Sequence, residues 1–213
     1  MTEPAPNHRP PRPDDPEPST YYHFLGIALR ELLIEKGLFT AEEEREAIAA
    51  MEARSPATGA RLVARAWVDP AYRARLLADG RSAAEELGAE VTAAQLVVIE
   101  NTPKVHNMVV CTLCSCYPRS VLGLPPAWYK SKNYRSRAVR EPRAVLAEFG
   151  TELAPEVEVR VHDSTADMRY LVLPLRPAGT EGMSEAELAG LVNRDAMIGV
   201  APARPPGDGA PGS

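Results

Sequence analysis

The feature that most constrains this chain is a change of apolar rhythm near residue 93. Before it the spacing is helical. Leu25, Leu29, Leu32 and Leu33 fall on one stripe that Gly37 stops, and Thr40 followed by Glu43 forms a capping-box pattern opening a helix through Arg54. A third helix is expected from about Pro56 to Val68, and a short one from Pro70. No strand signal precedes residue 93. After it, Gln95–Glu100 and Asn107–Cys111 read as short buried strands, Val157–His162 alternates at period two, and Arg169–Leu173 is another β-rich run. Helices fit Tyr134–Phe149, interrupted near Pro142, and Ser184–Val192, opened by a Ser184/Glu187 capping box. The expected fold is α+β, a mixed α/β chain: a helical arm over 20–92, then a layered α/β domain over 93–200. No internal repeat is found.

Two segments fall outside that plan. Residues 1–19 hold seven prolines and charges of both signs, so they are expected to be a disordered tail, and 201–213 are read the same way. Gly207, Gly209 and Gly212 match G-x-G-x-x-G, but a dinucleotide loop needs a strand before it and a helix after it, and the sequence stops at Ser213. That match is an accident of composition. No run approaches the roughly 18 apolar residues of a membrane span, and the proline-rich start lacks a secretory apolar core. A cytoplasmic protein is expected. With 24 basic against 29 acidic side chains, the net charge of −5 argues against a general nucleic-acid binder. The six basic residues between Lys130 and Arg143, opposed there by Glu141 alone, therefore read as a solvated or subunit-facing surface.

All three cysteines lie between Cys111 and Cys116, which excludes a disulfide scaffold. Four readings of Cys111-Thr112-Leu113-Cys114-Ser115-Cys116 compete. A structural zinc site wants four side-chain ligands, so His106 or His162 would have to complete it. A thioredoxin-like pair uses Cys111 and Cys114 but leaves Cys116 idle. Simple buried cysteines are the third. The fourth is a metal claw: Cys114 and Cys116 flank one residue, so their sulfurs can lie on the same side as the main-chain nitrogens of Ser115 and Cys116. Five- and six-membered chelate rings close a planar set of two sulfurs and two nitrogens. Cys111 adds an axial thiolate, and one position stays open, as a catalytic metal requires. Deprotonating two amides demands a strongly polarising ion, trivalent cobalt or iron rather than zinc. Thiolates in an open site are also subject to sulfenic and sulfinic oxidation.

CTLCSC resembles the claw of nitrile hydratase alpha subunits. The resemblance continues through Tyr117-Pro118, Val121 to Lys130 (VLGLPPAWYK), Tyr134-Arg-Ser-Arg137, Val139 to Arg143, Arg169-Tyr170, Leu173 to Gly182 and Arg194 to Val200. It is dense over about 105–201 and looser in the arm, at Glu31–Leu38 and Ala64–Trp67. It implies that Cys111, Cys114 and Cys116, with the nitrogens of Ser115 and Cys116, are the metal ligands. Cys114 would become a sulfinate and Cys116 a sulfenate. Thr112 matches the cobalt-type branch, so Co(III) is implied rather than iron. The implied activity is hydration of a nitrile to an amide, with Cys114, Ser115 and Cys116 as the reacting cluster. The implied partners are a beta subunit or beta/gamma-type small subunits, and a cobalt-loading activator protein.

The chain departs from that family at one point. Where this branch usually has Trp-Pro after Tyr-Pro, Arg119-Ser120 stands. The sister enzyme thiocyanate hydrolase, whose gamma subunit shares the claw, resembles this chain in having Arg there, and it turns thiocyanate into carbonyl sulfide and ammonia. Arg119 suits an anionic substrate or, by stacking, a polar heteroaromatic nitrile; the plain alternative is a structural salt bridge. Arg119, Tyr117 and Trp128 are the expected pocket residues, with Trp128 and Tyr129 shaping the wall. His106 and His162 are expected to be structural. A cobalt-carrying module without activity is the non-enzyme reading.

Overall fold

The computed structural model describes residues 20–91 and 95–207. Five helices come first: α1 (Tyr21–Glu35), α2 (Ala41–Glu52), α3 (Ala57–Val68), α4 (Pro70–Ala78) and α5 (Gly80–Glu86). Strands β1 (Gln95–Glu100) and β2 (Val105–Val110) follow. Then come α6 (Arg119–Leu122), α7 (Ala127–Lys130), α8 (Lys132–Arg137) and α9 (Pro142–Glu148). The chain closes with β3 (Glu158–Asp163), β4 (Met168–Leu173), α10 (Glu185–Leu191) and α11 (Arg194–Ile198). The mixed α and β class expected from sequence is what the chain adopts, and among the described residues no strand precedes β1. The expected tail over 1–19 lies outside the described residues, as do Gly209 and Gly212.

Side-chain caps punctuate this order. Both expected capping boxes form, Thr40 with Glu43 and Ser184 with Glu187. Asp69 caps α4, whose first residue is Pro70, and Asp79 accepts from the Ser82 amide to open α5. The interruption expected near Pro142 divides 134–149 into α8 and α9, because a proline suits the first turn of α9. The start of α8 moves back to Lys132, where Ser131 accepts from the Tyr134 amide.

The strands form two parallel pairs. β1 runs beside β4 with Gln95 opposite Met168 and Glu100 opposite Leu173. β2 runs beside β3 with Val105 opposite Glu158 and Val110 opposite Asp163. Parallel neighbours need a long crossover, so the segment between β2 and β3 carries the cysteines and α6–α9. One apolar core spans the expected boundary: Leu62, Val63, Tyr72 and Leu76 of the helical part share it with Met108, Val110, Leu171 and Ile198. α3–α5 thus share one apolar core with the strands that follow residue 93. Only α1 and α2 stand apart. Neither buries a residue, and the Leu25, Leu29 and Leu32 stripe of α1 is exposed. The stretch 201–207, read from composition as tail, is also held: Ala203 is buried and the Arg204 amide donates to the Leu191 carbonyl.

A polar knot ties β2 to the chain end. The Asn107 amide donates to Asn101 Oδ1 at 2.7 Å, and His162 Nε2 stands 2.8 Å from Asn107 Oδ1. His106 Nε2 meets the Gly199 carbonyl at 2.8 Å, as the structural role expected for both histidines requires. Gly199 has φ 84°, and a Cβ there would run into the Asn107 carbonyl. Gly199→Ala is expected to destabilise the chain by about 3 kcal/mol, read from urea unfolding. Burial pushes the His106 imidazole below its usual value, and the bond to Gly199 opposes this in part. The unfolded chain thus takes up the proton first. The associated stability is complete above about pH 6.5 and is lost as pH falls below it. His162 is lowered by burial as well and adds the same sign. His106→Gln should flatten this acid slope of the urea midpoint.

Candidate metal centre

Parallel pairing places the site. Val110 and Asp163 are the last partners of β2 and β3, and the Ser164 amide donates to the Val110 carbonyl at 2.7 Å. Cys111 leaves the sheet at the carboxyl ends of two strands, where open α/β sheets bind ligands. The next residue is fixed at once. Asp163 accepts from the Thr112 amide at 2.9 Å and from its hydroxyl at 2.5 Å.

From there the loop folds its three sulfurs together. Cys111 Sγ stands 3.4 Å from Cys114 Sγ, which stands 3.1 Å from Cys116 Sγ, and all three lie within 4.8 Å of one another. On metal–thiolate bonds of about 2.3 Å, ligands at right angles stand about 3.3 Å apart and tetrahedral ligands about 3.8 Å apart. The two separations from Cys114 are nearer the right-angled value than the tetrahedral one. Neither His106 nor His162 joins the cluster; both are spent in the polar knot. The amide of Cys114 donates to Cys111 Sγ at 3.2 Å, while those of Ser115 and Cys116 are directed at Cys114 Sγ. The two nitrogens expected to complete the claw thus face the same sulfur. The donor set of three thiols and two amides fits a trivalent ion of this chemistry.

Electrostatics separates the thiols. The hydrogen bond from Cys116 pulls the Cys114 thiol down, and those from Cys111 and the two amides act the same way. Burial pushes the Cys116 thiol up, against the nearby Arg169 guanidinium. Cys111 is buried, Cys114 exposed and Cys116 between them.

The loop is braced from behind. The Tyr129 hydroxyl donates to the Cys116 carbonyl and Arg135 Nη1 to the Cys114 carbonyl, each at 2.8 Å. The Tyr134 hydroxyl donates to the Val109 carbonyl at 2.6 Å. Arg135 lies in the basic stretch read as a solvated or subunit-facing surface; nothing in its spacing marks it as a brace.

In front of the sulfurs opens a cavity of about 420 Å³, lined by Cys114–Val121 together with Arg54, Val91, Leu96, Ala166 and Arg169. Of the expected pocket residues, Tyr117 and Arg119 line it. Trp128 does not: its ring packs against Tyr134 and Phe149, with centroids 4.9 and 4.7 Å away, so it supports the braces instead. The Tyr117 hydroxyl is buried without a hydrogen-bond partner, and burial pushes the phenol far up. Arg119 forms no ion pair among the described residues, against the salt-bridge alternative. Arg54 and Arg169 were not singled out as pocket residues from sequence. Arg169 lay inside a segment of the resemblance, whereas the sequence around Arg54 carries no signal.

The model of the family described as "Nitrile hydratase, alpha chain" matches residues 20–201. The chain belongs to the nitrile hydratase alpha-chain family. It is similar to the low-molecular weight cobalt-containing nitrile hydratase subunit alpha of Rhodococcus rhodochrous, at 54% identity over 175 residues, covering 81% of this chain and 84% of the relative. It is also similar to the thiocyanate hydrolase subunit gamma of Thiobacillus thioparus, at 47% identity over 196 residues, covering 86% of this chain and 81% of the relative. Among solved structures, a double mutant of the Fe-type nitrile hydratase from Comamonas testosteroni Ni1 superposes with TM-score 0.82 and 44% identity, covering 90% of this chain and 95% of that one. This nitrile hydratase alpha-chain fold thus presents its thiols on a loop whose first residue is tied down by the Asp163 carboxylate. Asp163→Ala should remove both bonds to Thr112 and lower metal affinity by about 10–100-fold, measured as metal retained against a chelator.

Proposed function

We propose that this chain is the metal-binding alpha subunit of a nitrile hydratase, which adds water to a nitrile to give the amide: R–CN + H₂O → R–C(O)NH₂. The observation that carries the reading is the packing of three sulfurs at 3.1 and 3.4 Å beside the 420 Å³ cavity. Cys111, Cys114 and Cys116, with the nitrogens of Ser115 and Cys116, hold the ion. Its identity is cobalt as Co(III), supported by Thr112 and by the cobalt-containing relatives. Bound there, the ion supplies Lewis acidity toward the carbon–nitrogen triple bond.

The chain's own groups do the rest. Cys114, exposed and with its thiol pulled down, is the thiol assigned to the sulfinate, with dioxygen or peroxide from solution as the oxidant and oxygen source for it and for the Cys116 sulfenate. Cys116, lining the cavity, becomes the sulfenate, and its oxygen serves as nucleophile or base toward the nitrile carbon and water. Cys111 stays a buried thiolate behind them. Tyr117 and Arg119 shape the cavity.

A beta subunit, or beta/gamma-type small subunits, closes the open side. The uncovered apolar side chains of α1 and the exposed cysteine loop support such a partner. A cobalt-loading activator protein and a cytoplasmic location complete the reading; no described helix is long and apolar enough to cross a membrane. The second reading is a thiocyanate hydrolase metal subunit, which Arg119 and the gamma-subunit relative favour.

Grown with cobalt and assembled with its partner, the chain should hold close to one cobalt, absorb by sulfur-to-metal charge transfer and form amide from nitrile. Cys114→Ser or Cys116→Ser should abolish metal retention and turnover together. Bound zinc with every thiol reduced would sink the claw. Metal without turnover of any nitrile or of thiocyanate would leave a carrier module.

A further inference from the structure

The cavity beside the thiols is walled by cations. Arg54, from the turn after α2, Arg119, which opens α6, and Arg169, on β4, all line it, and none of its lining residues is Asp or Glu. Arginines elsewhere in the chain find carboxylates readily: Arg75 pairs with Glu86, Arg73 with Glu100, and Arg137 with both Glu141 and Glu148. Among the described residues these three form no ion pair. Three arginines line one concavity, beside the Cys114 and Cys116 thiols and with no Asp or Glu in its lining, and this favours a positive potential at its rim.

Their backbones are held. Gly123, which ends α6 with φ 71°, lies so close under the Arg54 carbonyl that any Cβ would collide with it. Val121 and Leu122 anchor α6 in the core. The turn bearing Arg54 and the helix bearing Arg119 are thereby locked together. Arg169 stands opposite Leu96 in the β1–β4 register, and Leu96 itself lines the cavity.

Volume limits the ligand from the other direction. At about 420 Å³ the cavity falls in the roughly 300–1,000 Å³ range of small-molecule sites. A triatomic anion such as thiocyanate fills about three waters' worth of space, some 90 Å³. The arginines would attract it, and the part of the cavity formed by this chain also has room for a larger ligand.

We infer that the natural substrate is an organic nitrile carrying a second, anionic group, a carboxylate or a phosphate ester, which Arg54, Arg119 and Arg169 grip while the nitrile faces Cys114 and Cys116. Guanidiniums suit both groups because their planar fork donates two parallel hydrogen bonds to either. The inference rests on the nitrile hydratase reading and names its substrate class.

The test uses the assembled, cobalt-loaded complex. Matched heteroaromatic nitriles carrying a carboxylate, its neutral methyl ester or a phosphate ester are compared by kcat/KM, with thiocyanate and a small aliphatic nitrile alongside. One of the two anionic nitriles should exceed the neutral ester at least tenfold, and the carboxylate and phosphate arms decide which anion is native. Arg54→Gln and Arg119→Gln should each lower that ratio, chiefly through KM, while Arg119→Lys keeps more of it. Calorimetry with the anionic amide products should give the same order of affinities, weakening as salt rises.

A preference for the neutral ester or for thiocyanate overturns the inference. So does a charged-to-neutral ratio that stays fixed in the glutamine variants while the charge-transfer absorption shifts, since the arginines would then only balance the thiolates. If no nitrile is hydrated, the function proposed above fails, and calorimetry still decides on its own whether the cavity prefers the anionic amide.

Discussion

Everything near the thiols depends on where one parallel pairing stops. β2 and β3 run together until Val110 meets Asp163, and at that rung both strands turn out of the sheet. Because they run the same way, their ends emerge side by side, and the carboxylate closing one is at hand for the first peptides leaving the other. An antiparallel pair would have sent Asp163 to the opposite end of β2. Thr112 would then lack both its partners, and the loop would have no fixed origin.

The loop reads as a rigid object for the same reason. Asp163 holds its start, Arg135 its middle and Tyr129 its end, and the three come from β3, α8 and α7. Each brace reaches a main-chain group, at Cys114 and Cys116 a carbonyl, so the sulfurs and the two facing amides are left uncommitted to the scaffold. Trp128 belongs to this supporting layer: with Tyr134 and Phe149 it forms an aromatic wedge behind the braces. An aromatic next to a site in sequence is thereby turned away from it in space.

Much of this was legible from local chemistry. The Gln95–Glu100 strand and both capping boxes state their roles within a few residues, so no distant contact was needed to read them, whereas the cysteine spacing alone left four readings open. The four- and five-residue helices α6, α7 and α11 are too short to show a period. The partition of the helices was hidden as well. α3 and α1 both carry apolar residues at helical spacing, yet Leu62 is fully buried and Leu29 exposed, because α3 packs on α10 and α11. Arg54 is the clearest case of tertiary context without local signal: its carbonyl lies close to Gly123, far along the chain, an approach that any side chain there would block.

That long-range dependence has a temporal side. The residues that give the cysteine loop its shape are not its neighbours; Thr112 must wait for Asp163, on the far side of a crossover containing four helices. Closing a loop of that length costs chain entropy before any contact repays it. During synthesis the three thiols therefore leave the ribosome as an unbraced, flexible hexapeptide. They acquire their spacing only after β3 has been made and docked. Before that point the three thiols are ordinary cysteines, and their close spacing belongs to the finished sheet.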